Sequence, residues 1–278
     1  MNLLRGQLSP LFLYPPIDSE TMPFSVLIVA YGTDRPEGNA AEIQADELTE
    51  IIGTEVHTAY LHVGDPKMDE ALAEIAQEKT DSLVVLPLFM ASGSRTDSPI
   101  FEIFDVNEDT RRGSIELEGR RVEVYVADTF TMSPEYPDAV RDAVGRMAGT
   151  KDAGIIAVGH GSREGRNLNV VKNGARALKN AGYDVVCCSN EFNEPSVEKA
   201  LAETAKKHDS IFVLPMFISA SKHSRKDVPI KLGLAENVSD GMVNVGGKNV
   251  HVKIMQEIGL CPEITGILCE SIRASGFR

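Results

Sequence analysis

Gly154-Ile155-Ile156-Ala157-Val158-Gly159-His160-Gly161-Ser162-Arg163 is the stretch on which the fold turns. An apolar run ends in a glycine-flanked turn, and a polar pattern of helical period begins near Glu164. That order reads as strand, loop and helix. It places the turn at the carboxyl end of a buried parallel strand, the edge where open α/β sheets bind ligands. Gly159 and Gly161 remove side chains that would crowd the turn, leaving the His160 imidazole as the group the loop presents. Imidazole there can accept a proton or hold a metal near neutral pH. A lone histidine is more often a core group satisfied by backbone, so the rest of the chain has to decide.

Outward from this stretch, strands and helices alternate. Val26 to Ala30 reads as a strand, Glu37 to Ile52 as an amphipathic helix, Glu55 to Leu61 as a strand and Lys67 to Gln77 as a helix. Leu83 to Phe89 is a third strand, followed by a Ser/Gly loop from Ala91 to Ser98 and a helical piece after Pro99. A strand at Val122 to Val126 and a helix from Glu135 to Met147 complete the first half. Near-continuous apolar strands between helices imply a parallel sheet covered on both faces.

The second half repeats the first. Tyr31-Gly32-Thr33 matches His160-Gly161-Ser162, Asp65-Pro66 matches Glu194-Pro195, and Val85 to Ser92 matches Val213 to Ala220. Asp97-Ser98-Pro99-Ile100 matches Asp227-Val228-Pro229-Ile230, and Ser133-Pro134-Glu135 matches Cys261-Pro262-Glu263. All five landmarks recur at offsets of 128 to 130 residues. The fold expected is therefore α/β, with two tandem flavodoxin-like units of four-stranded parallel sheet and a cleft between them. Residues 1–22 form an N-terminal arm, 23–149 the first unit and 150–278 the second, joined near Ala148 to Asp152.

Positions that differ between the copies are freed from maintaining the shared scaffold. His160 becomes Tyr31, Glu191 becomes His62, and the loop Ser221-Lys222-His223-Ser224-Arg225-Lys226-Asp227 becomes the shorter Ser92-Gly93-Ser94-Arg95-Thr96-Asp97. Were His160 and His223 core residues of the shared unit, the first copy would need equivalents. In a parallel sheet all strand-to-helix loops emerge at one edge, so His160, Glu191 and His223 can converge. Two imidazoles and a carboxylate suit divalent Co, Ni, Fe or Zn. Arg163 and Arg166 on the first loop and Lys222, Arg225 and Lys226 on the third form a local basic cluster, which points to an anionic substrate. A competing reading is a dinucleotide-binding enzyme. Gly159-x-Gly161-x-x-x-Gly165 is one residue from the GxGxxG pattern, and Glu191 ends the next strand.

Gly159-His160-Gly161-Ser162-Arg163, Glu191-Phe192-Asn193-Glu194-Pro195-Ser196 and His223-Ser224-Arg225-Lys226-Asp227-Val228-Pro229, in that order, resemble the class II chelatases, specifically the sirohydrochlorin cobaltochelatases of anaerobic cobalamin synthesis. The resemblance covers roughly Phe24 to the C-terminus and is most specific in the second half. It implies ATP-independent insertion of a divalent metal, Co²⁺ foremost and Ni²⁺ or Fe²⁺ as alternatives, into a tetrapyrrole. His160 and His223 would hold metal and accept protons, with Glu191 the accompanying carboxylate. Ser162, Arg163, Arg166, Lys222, Arg225 and Lys226 would meet the carboxylates of sirohydrochlorin. The first unit, with Tyr31 and His62, would be a scaffold copy that walls the cleft. The same groups would also serve a non-catalytic metal or tetrapyrrole carrier.

Composition limits the alternatives. The chain has 278 residues, 42% hydrophobic and 25% charged, with a formal net charge of −13. Such an acidic balance argues against nucleic-acid binding, which relies on Lys and Arg. Runs of ~20 apolar residues, which a bilayer crossing needs, do not occur. No GxxxxGK[ST] is present, so no nucleotide is expected. The opening residues make a poor signal peptide, and a cytoplasmic location is expected. The four cysteines form no CxxC pair. Oligomeric state stays open, a homo-oligomer included.

Overall fold

A computed structural model describes residues 24–33, 36–93 and 96–277. The expected N-terminal arm, residues 1–22, lies outside the described residues. The first unit contains strands β1 (Phe24–Ala30), β2 (Val56–Tyr60), β3 (Ser82–Leu88), β4 (Arg112–Leu117) and β5 (Arg120–Val126), in sheet order β2-β1-β3-β5-β4. In the second, β6 (Gly154–Gly159), β7 (Val185–Ser189), β8 (Ser210–Pro215), β9 (Asp240–Val245) and β10 (Lys248–Ile254) follow the same order, β7-β6-β8-β10-β9. The repeat in the sequence is thus a repeat of topology.

Four strands of each sheet are parallel, as the apolar runs require. The expectation of four-stranded sheets is corrected by β4 and β9, which pair antiparallel to β5 and β10 at one edge. These edge strands escape notice because they are half-exposed and mixed in polarity, Arg112-Gly-Ser-Ile-Glu-Leu117 and Asp240-Gly-Met-Val-Asn-Val245. Two-residue turns join them to their neighbours. Glu118 and Gly119 have φ of 49° and 74°, and Gly246 and Gly247 have 61° and 90°. Two consecutive left-handed residues give the turn whose twist matches that of a hairpin.

The helices are α1 (Ala40–Ile52), α2 (Met68–Gln77), α3 (Asp97–Ile103), α4 (Tyr136–Ala148), α5 (Arg166–Asn180), α6 (Val197–Ala205), α7 (Val228–Lys231) and α8 (Pro262–Ala274). Helix α1 starts three residues later than Glu37 because Pro36–Gly38 forms a separate 3₁₀ turn. Asn39 then caps the helix, its side chain accepting from the Ala41 N–H at 3.2 Å. Gly53, left-handed at φ 72°, ends it.

Helices α2 and α3 cover the outer face of the first sheet, and α6 and α7 that of the second, each over its own apolar cluster. The inner helices α1, α4, α5 and α8 lie over a single cluster that runs from Val26 and Leu48 through Tyr136 and Val140 to Ile155, Val171 and Ile264. Helix α4 packs on α5 of the other unit, and α8 packs on α1 and α4. The last helix of each unit thus lies against the first helix of the other. Their seam is polar at one buried point, where Gln44 donates to the Gly259 and Cys261 carbonyls and accepts from Thr265. No helix among the described residues is long and apolar enough to cross a membrane.

The shared core turns the loops at the ends of β1, β2 and β3 toward those at the ends of β6, β7 and β8. Gly161 (φ 91°) is needed there because a Cβ would lie 1.9 Å from the Glu191 carbonyl oxygen. Gly32 (φ 99°) faces the same problem, 1.5 Å from that of Val63. In both units the loop after the first strand is pressed against the loop after the second.

Candidate metal centre

His160 follows β6, Glu191 follows β7, and His223 opens a single wide turn, His223–Asp227, which the Val228 N–H closes by donating to the His223 carbonyl. The three come together. One ligand atom from each lies within 4.8 Å of the other two, the only such grouping of three or more acid, histidine or cysteine side chains found among the described residues. His160 Nε2 stands 3.3 Å from His223 Nε2, with the rings nearly perpendicular at 85° and their centroids 4.5 Å apart.

The outward nitrogens set the tautomers. His160 Nδ1 lies 3.1 Å from the Gly161 carbonyl, an acceptor, so it carries the hydrogen and leaves Nε2 bare. His223 Nδ1 lies 2.9 Å from Asp227 Oδ2, and the Asn190 amide nitrogen is farther away, at 3.3 Å. The shorter contact to a carboxylate again places hydrogen on Nδ1 and a lone pair on Nε2. Two lone pairs 3.3 Å apart repel unless a cation or a shared proton lies between them. A divalent ion ~2.1 Å from both nitrogens would see them at roughly 105°, close to the tetrahedral angle common at zinc sites. Glu191 is more loosely placed. Its Oε1 is 3.8 Å from His223 Nδ1, and its side chain is 40% exposed.

Supporting groups brace this pair. Asn190 is buried, and Lys231 Nζ donates to both its carbonyl oxygens, which fixes the amide so that its NH₂ faces His223. Asn167 Oδ1 accepts from the Gly161 N–H at 2.9 Å, and Asn193 Oδ1 from the Ser162 N–H at 2.9 Å. These bonds also bear on the dinucleotide reading, because the backbone donors that would cradle a pyrophosphate are already occupied. Phe192, held left-handed at φ 65° and 59% exposed, stacks on His160 with centroids 6.1 Å apart. Asp227, Asn190, Asn167 and Phe192 were not assigned a role from sequence. The available signal was the i, i+4 spacing of His223 and Asp227.

A cavity of about 720 Å³ opens over the histidines, walled by Tyr31, Val63 and Met90 from the first unit and Met216, Phe217 and Ile218 from the second. Tyr31 stacks on His62, centroids 4.2 Å apart, so the first unit presents an aromatic pair where the second presents the candidate metal centre. Lys222 lines this cavity, while Ser162, Arg163 and Arg166 line a neighbouring one. Arg225 and Lys226 line neither cavity. Arg225 pairs at 2.8 Å with Glu257, a buried carboxylate that needs a cation, and Lys226 pairs at 3.2 Å with Glu236. The cysteines are packed groups. Cys187 and Cys188 enter the cores on opposite faces of the sheet, and burial pushes both thiols up from their ordinary range.

The geometry defines a facing pair of histidines, a candidate cation site, at the strand-end cleft of a duplicated α/β fold. The CbiX family model matches twice, over residues 25–147 and 154–275, and the chain belongs to the CbiX family. A sirohydrochlorin cobaltochelatase of Methanosarcina acetivorans is 34% identical over 113 residues, which cover 40% of this chain and 86% of that protein. Among solved structures, SirB from Bacillus subtilis with Fe³⁺ superposes with a TM-score of 0.63 at 15% identity, covering 91% of this chain and 95% of that one. The sirohydrochlorin chelatase SirB from Bacillus subtilis subspecies spizizenii in complex with cobalt gives 0.59 at 14% identity, covering 91% and 94%. At these identities the likeness is one of fold.

Proposed function

We propose that this protein inserts a divalent metal, Co²⁺ foremost, into sirohydrochlorin without nucleotide, at the His160–His223 pair. The observation that carries the reading is the two bare Nε2 atoms 3.3 Å apart at the base of a cavity wide enough for a macrocycle. Membership of the CbiX family supports it, as does the name of the Methanosarcina relative.

Insertion requires that water leave the metal and that two pyrrole protons leave the ring. Neutral imidazoles suit both tasks, because the nitrogen that releases the ion is then free to take a proton. Asp227 accepts from His223 Nδ1 and steadies the ring as charge develops on it. Glu191, half-exposed at the edge of the pair, is placed to complete the coordination or take the second proton. Phe192 and Tyr31 offer aromatic faces to the macrocycle. Arg163, Arg166, Lys222 and the Ser162 hydroxyl meet its carboxylates.

Anaerobic metallation of sirohydrochlorin, followed by absorbance with Co²⁺, Ni²⁺ and Fe²⁺ in turn, tests the reading. Turnover above the spontaneous rate is expected, fastest with Co²⁺. Tight binding of metal or tetrapyrrole with no acceleration would make the protein a carrier instead.

A further inference from the structure

The two units meet through matching loops, and among the described residues the hydrogen bonds of one junction are not repeated at the other. The loop after β8 is tied to the first unit, with Ala220 N–H donating to the Gly38 carbonyl at 2.9 Å, Thr33 Oγ1 to the Ala220 carbonyl at 2.8 Å and Ala40 N–H to Ser219 Oγ at 3.1 Å. Its counterpart is the loop after β3 against the start of α5. That junction encloses a second cavity of about 600 Å³ instead. Ser92, Gly93 and Thr96 form one wall, and Ser162, Arg163 and Arg166 the other.

Gly93 lies four residues before Asp97, as His223 lies four before Asp227. Glycine therefore stands where the second unit carries its metal-centre histidine. Among the described residues, a Cβ built there would meet only Arg166 Nη1, at 3.6 Å, which is ordinary van der Waals contact. A longer side chain would grow into the cavity beside that guanidinium. Arg166 itself is only loosely paired, its Nε 4.0 Å from Glu164 Oε2 with both side chains mostly exposed. His160, Gly161 and Asn167 line both cavities, so the polar one opens directly beside the metal centre.

Resting on the chelatase reading above, we infer that Gly93 is a specificity-determining position. Its missing side chain keeps open a polar cavity between the units, where Arg163 and Arg166 receive peripheral carboxylates of the macrocycle while the ring lies in the larger, apolar cavity. The loss of histidine from the first unit then does more than leave a single metal centre. It makes room for ring substituents that extend beyond the apolar cavity, and it fixes the side from which the macrocycle approaches.

The test is absorbance titration of the full-length protein with metal-free sirohydrochlorin, which needs no turnover. Gly93→Leu should weaken binding about tenfold or more, the scale of one lost charge-assisted hydrogen bond. Co²⁺ binding by the same variant without tetrapyrrole should match wild type, which also shows that the variant is folded. Arg166→Gln should weaken sirohydrochlorin binding similarly, and the difference from wild type should shrink for a partially esterified sirohydrochlorin. Wild-type affinity in both variants would overturn the inference while leaving the chelatase reading intact. Normal effects on binding with no metallation by wild type would instead overturn the chelatase reading.

Discussion

His160 Nε2 faces His223 Nε2 at 3.3 Å, and each ring is held from behind through Nδ1, by the Gly161 carbonyl in one case and Asp227 in the other. Among the described residues neither nitrogen of the facing pair has a neutral donor to satisfy it, an arrangement suited to sharing a cation. Replacement of either histidine by alanine should lower the metallation rate at least about 100-fold, the lower range for loss of a proton-transferring group. His62→Ala should stay within about threefold of wild type, since exposed substitutions away from the reacting groups cost little. His62 stacks on Tyr31 in the first unit and does not line the cavity above the pair. Steady-state rates with Co²⁺, corrected for the spontaneous reaction, decide it. Equal damage from His62→Ala and His160→Ala would place His62 in the site.

Asp227 acts through His223. Asp227→Ala leaves Nδ1 with the Asn190 amide, a donor, at 3.3 Å and the Glu191 carboxylate beyond hydrogen-bond range at 3.8 Å, and so favours the tautomer whose Nε2 carries hydrogen and cannot hold metal. Co²⁺ affinity should fall about 10- to 100-fold, as for other partners that orient a ligating histidine. Asp227→Asn keeps an acceptor oxygen and should recover part of the loss. A Co²⁺ titration in the visible range reads both, and unchanged affinity in the alanine variant would remove Asp227 from this role.

Much of this architecture was legible in the chain because it rests on strong local signals. The central parallel strands β1, β3, β6 and β8 are near-continuous apolar runs, β5 and β10 alternate, and the repeat fixes their order twice over. His160, Glu191 and His223 could be named because parallel strands send their loops to one edge. What stayed hidden depends on packing between distant segments. Arg225 looked like a cation for substrate, and only the fold brings Glu257, 32 residues further on, beneath it. The contribution of Tyr31, Val63 and Gly93 to the cavities follows from how the inner helices seat one unit on the other, which no local pattern encodes. The edge strands β4 and β9 were missed although Glu118-Gly119 and Gly246-Gly247 are hairpin signals, because their strands lack alternation strong enough to compete with a loop reading.

Gln44 tests whether the two units are one cooperative body. It is fully buried on α1, and its amide satisfies two carbonyls near α8 and the Thr265 hydroxyl. Gln44→Ala takes from the Gly259 carbonyl its side-chain donor, while the Cys261 carbonyl keeps the Ile264 N–H and the Thr265 hydroxyl keeps Glu47. The cost should be about 1 to 3 kcal/mol, from one unsatisfied buried carbonyl together with lost packing. Because the apolar cluster beneath the seam is continuous between the units, the midpoint should fall with a single transition retained. Calorimetry that resolved two separate transitions in the wild-type protein would show that the units unfold independently.

Asp97 is the first unit's equivalent of Asp227, kept where its histidine has become glycine. It is buried, and its Oδ1 has no hydrogen-bond partner among the described residues. Burial holds its carboxyl above the usual aspartate range, offset in part by a hydrogen bond from Ser92. A raised value means that the native chain holds this proton more tightly than the unfolded chain does. Native stability from this group is therefore greatest when it is protonated, declines as pH rises from the ordinary aspartate range through the raised one, and is constant above it. Asp97→Asn removes the charge while keeping an acceptor for Ser92. The variant should be more stable than wild type near neutral pH, and its advantage should shrink as pH falls toward about 4, the ordinary aspartate value. Urea unfolding of both proteins across that range cancels the titrations they share, including that of Glu47, which burial also raises. An advantage that did not change with pH, or a loss of stability near neutral pH, would mean that Asp97 is better ionised than neutral in the folded chain.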